Sequence, residues 1–241
     1  MKNFIIVIKK SITKFNIKAE NPFKTYIGIK MKTKICFFFI SFSILLSGCA
    51  QIRTDVNVDT SYLTLKSPQS SSKSVFIRSL EDNRKFVPGT KDPSVPSLKP
   101  VNKNAQDHMI GRKRSAFGAA IGWISLVPEQ TVTDLIRKII AQSYIDNGFQ
   151  VVSDKGQINS NTINIDISIN KLWAWMDLGA WTATGNHEIE VDLTDNKGTF
   201  TIYSKHSEEL FMDYDWPNVF SPSFRKFCDK ARETIDIRYK N

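Results

Sequence analysis

Histidine and cysteine are scarce, with three of each in 241 residues. His108, His187 and His206 stand in no metal-ligand spacing such as HExxH, and there is no CxxC pair. A zinc or dithiol centre of the usual kinds therefore has no support. Neither the Gly-x-Ser-x-Gly nucleophile elbow nor the phosphate-cradling GxxxxGK[ST] loop occurs. Beyond Cys49 no run approaches the ~18 consecutive apolar residues of a membrane-spanning helix. Cys36 and Cys49 lie in the N-terminal segment, which leaves Cys228 alone. No disulfide can form within residues 50–241 even under oxidising conditions. Cys228 falls on the apolar face of an expected helix and reads as a small buried hydrophobe.

The formal net charge is +9, but it is concentrated at one end. Residues 1–30 carry seven Lys and one Glu, and residues 31–48 carry two Lys and no acid. The remaining 193 residues hold 24 basic and 23 acidic groups, a net of +1. The body has no electrostatic footprint for nucleic acid.

What the N-terminus does have is an address. Met31-Lys32-Thr33-Lys34 is a short positive start, and Ile35 to Leu46 is a twelve-residue apolar run. At ~1.5 Å per residue the run spans ~18 Å, too short for a ~30 Å hydrocarbon core but right for a signal-peptide h-region. Leu46-Ser47-Gly48-Cys49 follows. It resembles the lipobox of bacterial lipoproteins, in which the cysteine is acylated and becomes the new N-terminus. The resemblance implies a diacylglycerol and an N-acyl chain on Cys49, with no other cofactor. Ala50 and Gln51 stand where an Asp would imply retention at the inner membrane, so the pattern implies the outer membrane. Met31 reads as the start of the signal (31–48), with residues 1–30 an upstream extension or a long n-region. Residues 49–73 read as lipidated N-terminus and tether, with Val56, Val58 and Tyr62 able to add a short strand.

Residues 74–241 read as one α+β domain. Val75-Phe76-Ile77 marks a buried strand. Residues 81–128 are Pro-rich, show little periodicity and read as a long loop. Val132, Leu135, Ile136, Ile139 and Ile140 predict a helix, capped by Thr131 with Asp134 and stopped at Gly148. Ile163, Ile165, Ile167 and Ile169 alternate with polar residues as in a half-buried antiparallel strand, and Trp173 and Trp175 continue that parity. Glu188, Glu190 and Asp192 alternate with His187, Ile189, Val191 and Leu193, and Asp195–Gly198 turns into a hairpin partner. Ser221-Pro222 opens a last helix with its stripe on Phe224, Phe227, Cys228, Ala231 and Ile235. The expected architecture is a two-layer sandwich, a mostly antiparallel sheet with two helices on one face.

Two segments are candidates for binding. Arg112, Lys113 and Arg114 precede Phe117 and Trp123 between glycines. A basic loop of this kind can present guanidinium forks and backbone N–H groups to phosphate or carboxylate, or it can be an ordered connection with solvated charges. Trp173, Trp175 and Trp181 form an aromatic edge suited to a partner or to covering a core. His187 reads either as a core histidine or as half of a site. The acidic row Glu188, Glu190, Asp192 shares one environment, unlike an acid–base pair.

The strand Val75–Leu80 with Asp82 and Arg84, the segment Ile110-Gly111-Arg112-Lys113-Arg114 with Phe117-Gly118, and the helix ending Tyr144-Ile145-Asp146-Asn147-Gly148-Phe149-Gln150-Val151-Val152 resemble the YajG-like family of bacterial lipoproteins. That family has no assigned activity, so the resemblance implies no catalytic residue. The expected function is a non-enzymatic, periplasm-facing lipoprotein, held to the membrane by its lipid and acting as an envelope accessory or protein-binding module. The alternative is a lipoprotein that binds lipid or lipopolysaccharide and assists its transport. The expected partners are the membrane and an envelope protein, with an anionic lipid or glycan also compatible, and no nucleic acid.

Overall fold

A computed structural model describes residues 52–66, 72–97, 103–115, 119–178, 182–210 and 215–240. The expected signal segment, Cys49, Phe117 and Trp181 lie outside the described residues. In chain order the elements are β1 (Ile52–Val56), β2 (Ser74–Asp82), α1 (Lys103–Gln106), β3 (Met109–Arg114), β4 (Ala120–Leu126), α2 (Val132–Asp146), β5 (Gln150–Val152), β6 (Thr162–Leu178), β7 (Ala183–Asp195), β8 (Gly198–Leu210) and α3 (Trp216–Tyr239). The fold is the expected α+β sandwich, with α2 and α3 against one face of an eight-stranded sheet.

The sheet runs β1-β4-β3-β6-β2-β5, with β7 and β8 added beyond β6. Its longest ladders, β6–β7 and β7–β8, are antiparallel. β2 pairs in parallel with both β5 and β6, and β1 in parallel with β4. β6 is the hub. One of its edges takes β7, while the other is shared end to end by β2, along residues 162–169, and by β3, at the single pair Gly111↔Ala174.

Two expected boundaries move. Residues 52–58 are not tether, because β1 is part of the sheet and Val56 and Val58 are buried in the core. The Gln130 side chain fixes Val58, accepting from its N–H and donating to its carbonyl at 2.9 and 2.8 Å. The segment 81–128 is not a long loop either, since it holds α1 and the β3–β4 hairpin. β3 escapes a pattern search because Gly-Arg-Lys-Arg shows no apolar alternation and two register shifts interrupt its ladder.

The helices form for local reasons. Thr131 Oγ1 accepts from the Asp134 N–H at 3.1 Å, Gly148 takes φ +81°, and Phe149 packs edge-on against Tyr144 at 5.3 Å. α3 begins at Trp216, earlier than Ser221-Pro222 suggests. Pro217 takes the first-turn role, and Trp216, Val219 and Phe220 extend the buried stripe upstream. Pro222 is then interior, on the exposed side, where water can reach the Asn218 carbonyl it leaves without a donor. At its far end α3 is tied to the β7–β8 turn, where Arg238 Nε donates to Asp195 Oδ2 at 2.9 Å.

β6 also corrects a parity argument. A register shift between Ile169 and Lys171 reverses the strand's faces. Ile165, Ile167 and Ile169 face the helices, and after the bulge Leu172 and Ala174 do so. Trp173 and Trp175 therefore lie on the opposite face from the isoleucines.

Gly111 makes the β3–β6 contact possible. A Cβ there would meet the Ala174 carbonyl oxygen at 2.8 Å and Ile124 Cδ1 at 3.0 Å. Gly111→Ala is expected to destabilise the fold by about 1–3 kcal/mol, read as a lowered urea midpoint at unchanged slope.

Candidate functional site

The segment after β2 folds back across the face that carries the tryptophans. Val87 N–H donates to the Pro96 carbonyl at 2.8 Å and closes it into a loop. Trp173 lies beneath with no exposure, its Nε1 donating to the Pro93 carbonyl at 3.1 Å and its ring meeting Phe86 edge-on at 6.0 Å. The loop thus lids a second, small core. Its Pro residues suit the task, since they order a segment that donates few ladder hydrogen bonds.

The β3 cations serve the same closure. Arg112 stacks 4.9 Å from the Trp123 ring centroid, and its Nη1 donates to Ser97 Oγ at 2.8 Å. Arg114 Nη2 donates to the Thr90 carbonyl at 3.1 Å. Lys113 reaches to β1 and donates to Thr54 Oγ1. Burial, with Arg114 nearby, pulls the Arg112 guanidinium below its ordinary pKa. Lys113 and Arg114 are buried. Among the described residues these side chains hold chain segments together, which fits an ordered connection better than an open anion cradle, though with Lys113 and Arg114 buried rather than solvated. Arg112, Arg114, Trp123 and Trp173 are brought together by one loop.

Trp175 is 4% exposed, with the ammonium groups of Lys171 and Lys205 5.4 and 5.1 Å from its ring centroid. Its Nε1 donates to Asp177 Oδ2 at 3.3 Å. Glu188, across the ladder, pairs with Lys171 and accepts from the Tyr203 hydroxyl at 3.0 Å. Trp173 and Trp175 of the expected aromatic edge are thus covered by their own neighbours. On this face Tyr203 is presented outward, at 47% exposure.

Open ground remains beside the loop. A cleft of about 440 Å³ is lined by Asn83, Lys85, Ser94, Pro96, Ser168 and Lys171. Its floor is a chain of side-chain hydrogen bonds from Asn83 through Ser168 and Asn170 to Asp192. With two lysines, amides and hydroxyls around a shallow opening, the cleft can hydrogen-bond a polar or acidic surface.

Arg84 has a structural role that no periodicity in the sequence signals. Its side chain has no exposure, and all five N–H donors are used. Nε and Nη2 form a fork on Asp82 at 2.8 and 2.7 Å. Nη1 donates to the Met109 and Leu172 carbonyls at 2.6 and 3.1 Å, and Nη2 to the Gln106 carbonyl at 2.7 Å. The guanidinium lies 5.2 Å from the Phe86 ring centroid. The one signal in the sequence was Asp-x-Arg immediately after a buried strand.

His187 is in the core, its Nδ1 2.9 Å from Ser223 Oγ and its ring against Phe220 and Phe224. Burial, then the nearby His206 and Arg84, pull its pKa down to about 3. Cys228 is likewise buried, and burial raises its thiol pKa. Among the described residues no group of three or more His, Cys, Asp or Glu could hold a metal ion. No helix among them is long and apolar enough to cross a membrane.

No protein-family model and no curated protein matches the chain. Solved structures similar to it include the hypothetical protein CT253 from Chlamydia trachomatis, at 8% identity and a TM-score of 0.37 over 70% of this chain and 100% of that one. Another is an uncharacterized protein at 10% identity and a TM-score of 0.32, over 70% and 99% of the two chains.

Two predictions follow from these contacts. Arg84→Ala leaves the part-buried Asp82 without its partner and takes a donor from three carbonyls, and is expected to cost about 3–5 kcal/mol in urea unfolding. For His187 the folded pKa lies below the unfolded value of about 6.5, so the unfolded chain binds the extra proton. Its contribution is intact above about pH 6.5 and is lost as pH falls toward 3, by about 1.4 kcal/mol per unit. Urea unfolding across that range should show a slope one proton smaller in His187→Gln than in the parent.

Proposed function

We propose that the chain is a lipoprotein of the YajG-like kind, anchored through Cys49 at the periplasmic face of the outer membrane. Its α+β body serves there as a non-enzymatic binding module for an envelope protein. The observation that carries this reading is the order of its N-terminal features: a positive start at Met31, a twelve-residue apolar run, then Leu46-Ser47-Gly48-Cys49. Two acyl chains or more give stable anchoring where one gives only marginal binding. The near-neutral body disfavours nucleic acid as partner. The cleft beside the 87–96 loop and the exposed Tyr203 supply a polar rim and an aromatic anchor of the sort protein interfaces use.

Growth with an alkyne-bearing palmitate is expected to label the chain, and Cys49→Ala to abolish the label and move the protein out of the membrane fraction. A label that survives Cys49→Ala would overturn the anchor. A photo-crosslinker at Tyr203 in intact cells is expected to give one discrete protein adduct. Its absence, with a working probe at exposed Lys155 as control, would remove this face as the docking surface.

A further inference from the structure

A second opening lies away from the Trp face, between α2 and the β2–β5 edge of the sheet. It encloses about 450 Å³, a volume within the range of small-ligand sites. Its walls are aliphatic and aromatic, with Leu65, Phe76, Ile77, Ala141, Ile145 and Val151 among them. Arg137 and Lys138 border it from the exposed side of α2. Neither cation makes a hydrogen bond or ion pair within the described structure, unlike the β3 cations, which are used internally.

One wall is held in an unusual state. Leu65 adopts φ +48°, a left-handed conformation that side-chain-bearing residues disfavour, and still leaves its side chain 43% exposed. It is kept there from below. The Leu65 N–H donates to Gln142 Oε1 at 2.7 Å, and the buried Gln142 is oriented by its own donation to Asp146 Oδ1 at 2.6 Å. A buried amide thus spends one of its groups to hold an apolar side chain over an apolar opening.

We propose that this groove binds one acyl chain of an anionic phospholipid, with Arg137 and Lys138 against the phosphate. The division into an aliphatic trough and a doubly cationic border matches an amphiphile of that charge. An extended peptide fits less well, because β5 is three residues long and templates little backbone pairing. The site does not depend on acylation of Cys49, since its residues all belong to the folded body.

The test uses the full chain mixed with phosphatidylglycerol vesicles containing a trace of phosphatidylglycerol with a diazirine in its acyl chain. After illumination and digestion, adducts are expected on peptides holding Leu65, Ile145 or Val151. Arg137→Glu combined with Lys138→Glu should lower labelling there by at least roughly 30-fold, the weight of losing two surface cations at an anionic membrane before the repulsion of the two new carboxylates is added. Ile145→Trp should fill the groove and remove the adduct. Should that variant fail to fold, the charge pair, which is exposed, still decides. Labelling that ignores the charge reversal, adducts scattered over the other face, or equal labelling from phosphatidylcholine vesicles with the same probe tail would overturn the proposal. Palmitate labelling of Cys49 in the same sample reports the anchor separately, so failure of one reading is distinguishable from failure of the other.

Discussion

β6 has one edge with two neighbours on it, β2 and β3, and the backbone between them is closed by the Arg84 guanidinium. Where β2 ends, Asn83 N–H still reaches the Ile169 carbonyl at 3.0 Å, and beyond it Arg84 takes over the donor role of a strand. Its Nη1 donates to the buried carbonyls of Leu172 and Met109 at the junction between the two strands. The charge this places in the interior is matched by Asp82 two residues away, in the fork geometry that favours arginine over lysine. Five donors in one plane let this side chain tie together the strands that meet where the sheet branches.

The consequences reach the opposite face of the sheet. Arg84 stacks on Phe86, Phe86 meets Trp173, and Trp173 is fastened to Pro93. Arg112 and Arg114 then pin the far side of the same loop. Aromatic and basic residues that would suit a ligand are here complementary to one another. The loop supplies oxygen acceptors to both guanidinium groups, the Ser97 hydroxyl to Arg112 and the Thr90 carbonyl to Arg114. Polar side chains not engaged in the core lie at the loop's border, among them Lys85, Ser94 and Tyr203.

Regular periodicity made much of this fold legible. Helix α2, the β6–β7–β8 meander and the two-layer arrangement follow from apolar spacings of 3.6 and 2 that tertiary contacts reinforce. The failures have distinct physical causes. The Asn170 bulge reverses parity without any change in composition, so simple alternation puts Trp173 and Trp175 on the wrong face. β3 is a strand by virtue of its neighbours, since its cations are tolerated only because Ser97, Thr90 and Thr54 receive them. β1 is short and pairs with a distant partner, so its sequence resembles a tether. Arg84 shows the limit most clearly, because a lone arginine after a strand carries no periodic signal and only its partners reveal its role.

The parallel pairings have a further meaning for how the chain comes together. Ile52 meets Gly122, and Ser74 meets Thr162, so the first two strands have no partners until much of the chain is available. Sheets built on such distant contacts assemble slowly, because loops must close before any contact rewards them. During that interval Ile163, Ile165, Ile167 and Ile169 are a ready template for pairing between chains. The polar residues between them, Asn164, Asp166, Ser168 and Asn170, interrupt the run at every second position. In the finished protein they are an outward face with ordinary hydrogen bonds. Before it exists, they are what keeps one unfinished molecule from adhering to another.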